Sequence, residues 1–411
     1  MKKIFLLLLC SLFLIAKPIK KLKTGADVLF ESRTELIDGK RIGLITNHSA
    51  VLSNGKHLAD ALHEYPKAKL IVLFGPEHGV RGDAPDGRAV RDTIDDKTGV
   101  PVYSLYGNVN KPSTNMLKDV DLLIFDIQDV GSRFYTFIST MFLGMEAAAE
   151  NNIPIIILDR PNPITGENVQ GPIRVDSLKT FVGWVPIPIA HGMTVGELAV
   201  MANLQGWLKD RKPAKLTVVK MENWKRSQWF DETKLHWIKP SPNMATLNTA
   251  TVYPGLCLVE GMNVSEGRGS EKPFEYIGAP WINGKELSKL LNAQKLSGVT
   301  FQPIEFIPKE IPNVTSNPKY KDQLCSGVYV NVTNRKKFGS VKAGIALIWG
   351  IHTLYKDSLK FRDRGFDRLA GTPVIREMIL EGKTADEIED TWKEELKEFM
   401  KLRKKVLLYL D

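Results

Sequence analysis

Four stretches of the chain are apolar in continuous runs and then break off into polar, chemically capable residues. They are RIGLITNHS (41–49), KLIVLFGPEHG (69–79), DLLIFDIQDVGSRFYTF (121–137) and IPIIILDRPNP (153–163). A fifth, PIPIAHGMT (186–194), is shorter. Runs such as Ile155-Ile-Ile-Leu158 lack the alternation of a strand with one wet face and suit parallel strands buried on both sides. Helical patterns at about 57–65, 137–151 and 195–207 fall between them, the last opening on Thr194-Val-Gly-Glu197, a capping box. This alternation predicts an α/β fold with a Rossmann-like, doubly wound parallel sheet over about 24–207. Open parallel sheets bind ligands beyond the carboxyl ends of their strands. There the sequence places Asn47, His48, Glu77, His78, Asp126, Gln128, Asp129, Arg133, Asp159, Arg160 and His191.

From about residue 208 the texture changes to tryptophans among short charged stretches, then prolines, then β-rich segments that include 327–332 and 343–349. A second, smaller α+β domain is expected over 208–411. It closes with a helix from about residue 385, capped by Thr384 and Glu387, with Ile388, Trp392, Leu396 and Phe399 at helical spacing as a core stripe.

The first 16 residues stand apart. Lys2 and Lys3 precede an apolar stretch over 4–15 and a small residue, Ala16. The stretch is shorter than the roughly 20 residues a membrane span needs, so a cleaved signal peptide over 1–16 and a periplasmic or secreted protein are expected, an uncleaved anchor being the alternative. Cys10 lies inside that stretch and reads as one of its apolar residues rather than a lipid-anchoring site. Cys257 and Cys325 are then the remaining cysteines, too few for a disulfide framework, and they are either one pair or two buried thiols. The formal charge of +9 is partly local, in Lys17, Lys20, Lys21 and Lys23 and again in Lys401, Arg403, Lys404 and Lys405. Such runs read as solvated surface, with a mild attraction to an anionic polymer and no nucleic-acid partner. After the first strand no GxGxxG appears, and no Walker motif occurs elsewhere, so no nucleotide cofactor is expected. No metal-ligand spacing is present either.

Several constellations could carry chemistry. In Gly75-Pro-Glu-His-Gly79 a tight strand exit would stand Glu77 and His78 at the sheet edge, where a partly desolvated carboxyl can act as an acid; alternatively Glu77 caps a helix or holds Arg81 or Arg88. Asp126, Gln128, Asp129 and Arg133 follow the third run, as ligand-binding groups or as a structural Asp–Arg clamp. Asp159-Arg-Pro-Asn-Pro163 presents Asn162 between two prolines, the alternative being that Asp159 and Arg160 simply pair with each other. His191 is either a hydrogen-bonded core residue or a catalyst. In the second domain 240–246 (PSPNMAT) and 260–275 (EGMNVSEGRGSEKPFE) are so dense in Gly, acid, Arg and amide that they read as loops facing a ligand. Ser265 lacks the GxSxG context of a serine hydrolase.

The words GLITNHSAV, LFGPEHGVRGDAPDG, FDIQDVGSRFYT, LDRPNPI, IAHGMTVGE, PSPNMAT and EGMNVSEGRGSEKPFE, in this order, resemble the NamZ-type exo-β-N-acetylmuramidases over about 24–411. The resemblance implies an exported enzyme with an active-site cleft between a Rossmann-like and a smaller domain. It implies a glycosidase releasing N-acetylmuramic acid from the non-reducing end of peptidoglycan fragments, without a cofactor or metal. Glu77, in the PEHG word, becomes the expected proton donor, and Glu266, Asp126, Asp129 or His191 the second catalytic group. Because muramic acid bears a lactyl carboxylate, a basic cleft with Arg133, Arg160, Arg268 and Lys272 is expected. Asn47, His48, His78, Gln128, Asp129, Tyr135, Asn162, Asn243, Asn263 and Glu271 complete the expected substrate-binding set. The competing readings are a muropeptide- or sugar-binding protein without turnover and a metal-assisted cell-wall amidase or deacetylase.

Overall fold

The computed structural model describes residues 21–82 and 92–410. The expected signal peptide, Cys10, Lys17, Lys20 and Arg88 lie outside these. The main sheet comprises β1 (Arg41–Thr46), β2 (Lys69–Gly75), β3 (Thr93–Ile94), β4 (Pro101–Ser104), β5 (Leu122–Asp126), β6 (Ile155–Leu158) and, past a two-stranded ribbon of β7 (Val169–Gln170) and β8 (Ala190–His191), β9 (Leu216–Val219). Its order is β3-β4-β2-β1-β5-β6-β9, with every neighbouring pair parallel except β3 with β4. Leaving the short antiparallel edge strand aside, the parallel strands run third, second, first, fourth, fifth, sixth in chain order. This is the Rossmann arrangement, whose switch point lies between β1 and β5. All of β5 and β6 is buried, as their unbroken apolar runs require.

The structure changes several expectations about elements. The run at 186–194 supplies only β8, paired antiparallel with β7 outside the main sheet. Pro186 and Pro188 lack the N–H that a central strand must donate. The sheet instead takes its last strand from 216–219, beyond the boundary expected at 207/208. Residues 343–349, expected among the β-rich segments, lie in the helix Ser340–Tyr355, whose surface is so thoroughly buried that its apolar run imitates a buried strand.

The smaller sheet is antiparallel, in the order β10 (Tyr276–Ala279), β12 (Cys325–Val332), β11 (Val299–Phe306). Cys257 and Cys325 are both buried and unpaired. The expected terminal helix is two, Ala385–Asp390 with the Thr384–Glu387 capping box and Lys393–Lys404, and Trp392 is buried at the break.

The two domains share a core. In the helix Phe137–Glu150 every residue but Glu150 is buried, and its apolar residues belong to one hydrophobic core with residues of both domains. Its Gly144 sits so close to β1 that a Cβ would stand 2.5 Å from Ile45 Cδ1. Within the second domain the helices Leu247–Leu256 and Ser340–Tyr355 cross through facing glycines: a Cβ on Gly344 would lie 2.3 Å from the Gly255 carbonyl oxygen. Arg133 completes the junction. Fully buried, it donates to the carbonyls of Pro172 (2.9 Å), Ile187 (3.0 Å) and Leu369 (2.7 Å).

Candidate active site

Where β2 ends, Pro76 closes a turn in which Gly79 N–H donates to the Pro76 carbonyl at 3.0 Å, and His78 takes a left-handed backbone (φ 74°). A non-glycine residue adopts that region only when its surroundings enforce it. The turn carries Glu77 and His78 into a cleft of about 410 Å³ between the domains. His78 is buried and Glu77 half-buried. Aromatic rings make much of the wall: Phe134 and Tyr135 from the segment after β5, and Tyr253 and Phe274 from the second domain. Tyr253 meets Phe134, Tyr135 and Phe274 edge to face, at centroid separations of 5.3, 5.8 and 4.8 Å. Apolar ring faces beside a few placed charges suit a sugar, which has both kinds of surface.

The Gly-rich loop supplies the opposite charge. Gly267 and Gly269 both have left-handed φ, 77° and 79°, and a Cβ would lie 2.5 Å from the Tyr276 carbonyl oxygen and 2.3 Å from that of Lys309. Only glycine fits either place, and the pair holds Arg268 at the tip. Its guanidinium lies over Phe274 (5.1 Å to the ring centre) and binds Glu260 at 2.9 Å. Arg268 and Glu260 both line the cleft with Glu77. Glu266 is buried behind them, with Lys319 Nζ at 3.0 Å and Arg268 Nε at 3.7 Å. Lys319 also donates to the Val259, Glu260 and Val264 carbonyls, so its charge is spent organising the loop.

Of the expected residues, the cleft therefore brings together Glu77, His78, Tyr135 and Arg268. Asn243 is buried at its border, donating to the Val314 carbonyl and accepting from Thr315, which lines the cleft. The other expected catalytic groups are engaged elsewhere. Asp126 is fully buried and clamped two-pronged by Arg160, whose Nη2 lies 2.8 Å from Oδ2. Asp159 and Arg160 are thus not paired through their side chains; Asp159 instead accepts from Thr194, Gly196 and Tyr409. His191 accepts from Met193 N–H through Nδ1, which leaves the Nε2 proton facing Asp129 Oδ2 at 3.4 Å, a wholly buried pair.

Several expected binding residues hold backbone instead of facing the cleft. Arg133 has only carbonyl partners, and burial, with Arg174 second, pushes its pKa down, as for a cation without a carboxylate. Asn162 bridges Met193 and Ile164, and Asn263 bridges Ser358 and Lys360. Asn47 accepts twice from Ser49, and His48 donates to the Lys239 carbonyl. Lys272 bonds Tyr329, and Glu271 is exposed away from the cleft lining. Gln128 and Arg160 line a different crevice, at the switch point. Among the described residues no cluster of His, Cys, Asp or Glu could hold a metal ion.

Residues 42–248 match the family model described as exo-β-N-acetylmuramidase NamZ, N-terminal, and residues 251–409 match its C-terminal counterpart. The chain belongs to the NamZ exo-β-N-acetylmuramidase family. Its relatives include the peptidoglycan β-N-acetylmuramidase NamZ of Bacillus subtilis (strain 168), 50% identical over 390 residues, which are 95% of this chain and 92% of that protein. Two crystal structures of DUF1343 family proteins from Bacteroides fragilis NCTC 9343 share the fold. One has a TM-score of 0.87 at 38% identity, covering 95% of this chain and 99% of that one; the other has 0.78 at 37%, covering 95% and 100%. The NamZ models divide the chain between 248 and 251, inside the helix Leu247–Leu256, which leaves β9 with the N-terminal part where its pairing puts it. Sequence reasoning did not single out Glu260 and the segment 315–317, which line the cleft, or Lys319, which orders the Gly-rich loop. Glu260 at least headed the Gly-rich word, whereas nothing in the local pattern marks Lys319.

Proposed function

We propose that this glycosidase is an exo-acting β-N-acetylmuramidase that releases N-acetylmuramic acid from the non-reducing end of peptidoglycan fragments such as MurNAc-GlcNAc, working outside the cytoplasm after export. The observation that carries the reading is the meeting in one aromatic-walled cleft of Glu77 from the sheet edge and Arg268 from the second domain. Glycoside cleavage needs a proton donor for the departing oxygen and a second group that serves the sugar carbon. Glu77 is the donor. Glu260 is the second carboxylate, because it lines the same cleft and Arg268 fixes its position, whereas Asp126 is consumed by Arg160. Arg268, at the tip of the Gly-rich loop, reads the lactyl carboxylate through a planar charge-assisted contact. Incubating the mature protein with MurNAc-GlcNAc, and with chromogenic β-N-acetylmuraminide beside the glucosaminide, tests this. Free N-acetylmuramic acid should appear and the muraminide should be preferred. Equal cleavage of both glycosides would exclude a carboxylate-reading site, and binding without turnover would make the protein a receptor.

A further inference from the structure

The carboxyl ends of β1, β5 and β6 open on a second crevice, of about 450 Å³, at the switch point of the sheet. Among the described residues its charged lining is one-signed: Lys21, Arg160 and Lys234 face it, and no Asp or Glu does. Both lysines are exposed. Arg160 is a built element of the crevice. Nearly all of it is buried, Nε and Nη2 are held from behind by Asp126, and Nη2 also reaches the Val51 carbonyl, so Nη1 is the donor left for the crevice. Gln128 is fixed in the same way. Its Nε2 donates at 2.8 Å to the carbonyls of Asp129 and Pro161, which leaves Oε1 as an acceptor. Phe230 and Leu235 add apolar wall. A preset guanidinium, an amide acceptor, two exposed cations and an aromatic face together suit an anionic sugar.

One strap of chain runs from the crevice to the active-site cleft. Lys234 and Leu235 line the one and Ser241 and Met244 the other, and His48 pins the strap between them through the Lys239 carbonyl at 2.7 Å. We propose that the switch-point crevice is a second carbohydrate subsite that takes the lactyl carboxylate of another muramic acid unit. The proposal rests on the muramidase reading of the cleft. The unit is either the next one along the same glycan or a molecule of released product.

The test pairs wild type with the Lys21→Gln/Lys234→Gln double variant, which leaves the cleft and the Asp126–Arg160 pair untouched. Steady-state rates are measured on MurNAc-GlcNAc and on the tetrasaccharide (MurNAc-GlcNAc)₂, and calorimetry with free N-acetylmuramic acid counts sites. If the chain threads both sites, wild type favours the tetrasaccharide in kcat/KM by about 10-fold, the worth of one charge-assisted contact, and the variant loses that preference while cleaving the disaccharide normally. If released sugar is the occupant, calorimetry finds two sites in wild type and one in the variant, with no chain-length preference. A single site and no chain-length preference in wild type would overturn the proposal, as would a preference that survives in the variant. Absence of disaccharide cleavage would sink the muramidase reading instead, and the calorimetric count would still decide whether the crevice binds a carboxylated sugar.

Discussion

The carboxylates of this protein resemble one another in sequence and differ entirely in circumstance. Glu77→Gln keeps the shape of the side chain and removes the transferable proton, so kcat should fall by about 10²- to 10⁴-fold with folding unchanged. Near-normal rates on a substrate with a poor leaving group would take the acid role away from Glu77. Asp126→Asn should act the opposite way. It strands Arg160 in the interior, and loss of one partner of a buried pair costs about 3–5 kcal/mol, which urea unfolding would register as lost stability. An unchanged midpoint would mean that the pair is solvated. Arg268→Lys cannot reproduce the fork over Phe274 and Glu260, and muraminide kcat/KM should fall by roughly 10- to 100-fold. Glucosaminide cleavage should fall less; equal losses would show that Arg268 serves only Glu260. Much of the cleft was legible at this scale, because Glu77 and Arg268 sit in short words whose prolines and glycines force them outward. The division of labour among the other candidates was not. Whether Asp126 meets a substrate or Arg160 depends on a side chain 34 residues away, and nothing local encodes the choice.

At the scale of elements, hydrophobic pattern identified β1, β2, β5 and β6 because strands buried on both faces must be apolar throughout. The same logic erred at 343–349, where a helix buried on nearly every side carries an equally unbroken run. Those residues are apolar because another helix lies against them at glycine distance. Gly344→Ala should therefore destabilise the protein by roughly 1–3 kcal/mol or more despite the better helix propensity of alanine, since the added methyl meets backbone that cannot turn aside. Thermal unfolding would measure it, and a gain in stability would show that the two helices part easily. The edge strand β3 and its neighbour β4 were not legible. Two and four residues without an unbroken apolar run carry too little pattern, and only the pairing of β4 with β2 and of β3 with β4 defines them.

Over the whole molecule, the two domains are joined by buried polar ties as well as by shared core. Tyr409 reaches back to Asp159 at 2.5 Å, in a site where burial, against these hydrogen bonds, raises the Asp159 carboxyl to about 7. A carboxyl with a folded pKa above its unfolded value holds more protons when folded, so its contribution to stability is complete below about pH 4 and is lost as pH rises through about 7. Asp159→Asn should flatten that part of the profile between pH 4 and 7, as read by urea midpoints; parallel wild-type and variant profiles would show that the carboxyl is ionised throughout. Such ties were invisible in the sequence, since Asp159 and Tyr409 are 250 residues apart. The Arg133 junction has a different physical character. Its guanidinium is coordinated by neutral carbonyl oxygens from three segments, much as a metal ion is solvated by water. Counter-ions cannot enter to screen it, and its partners carry no charge to neutralise. Salt that dissolves the surface ion pairs leaves this joint closed, so the cleft it frames should keep its shape in brine as in dilute buffer.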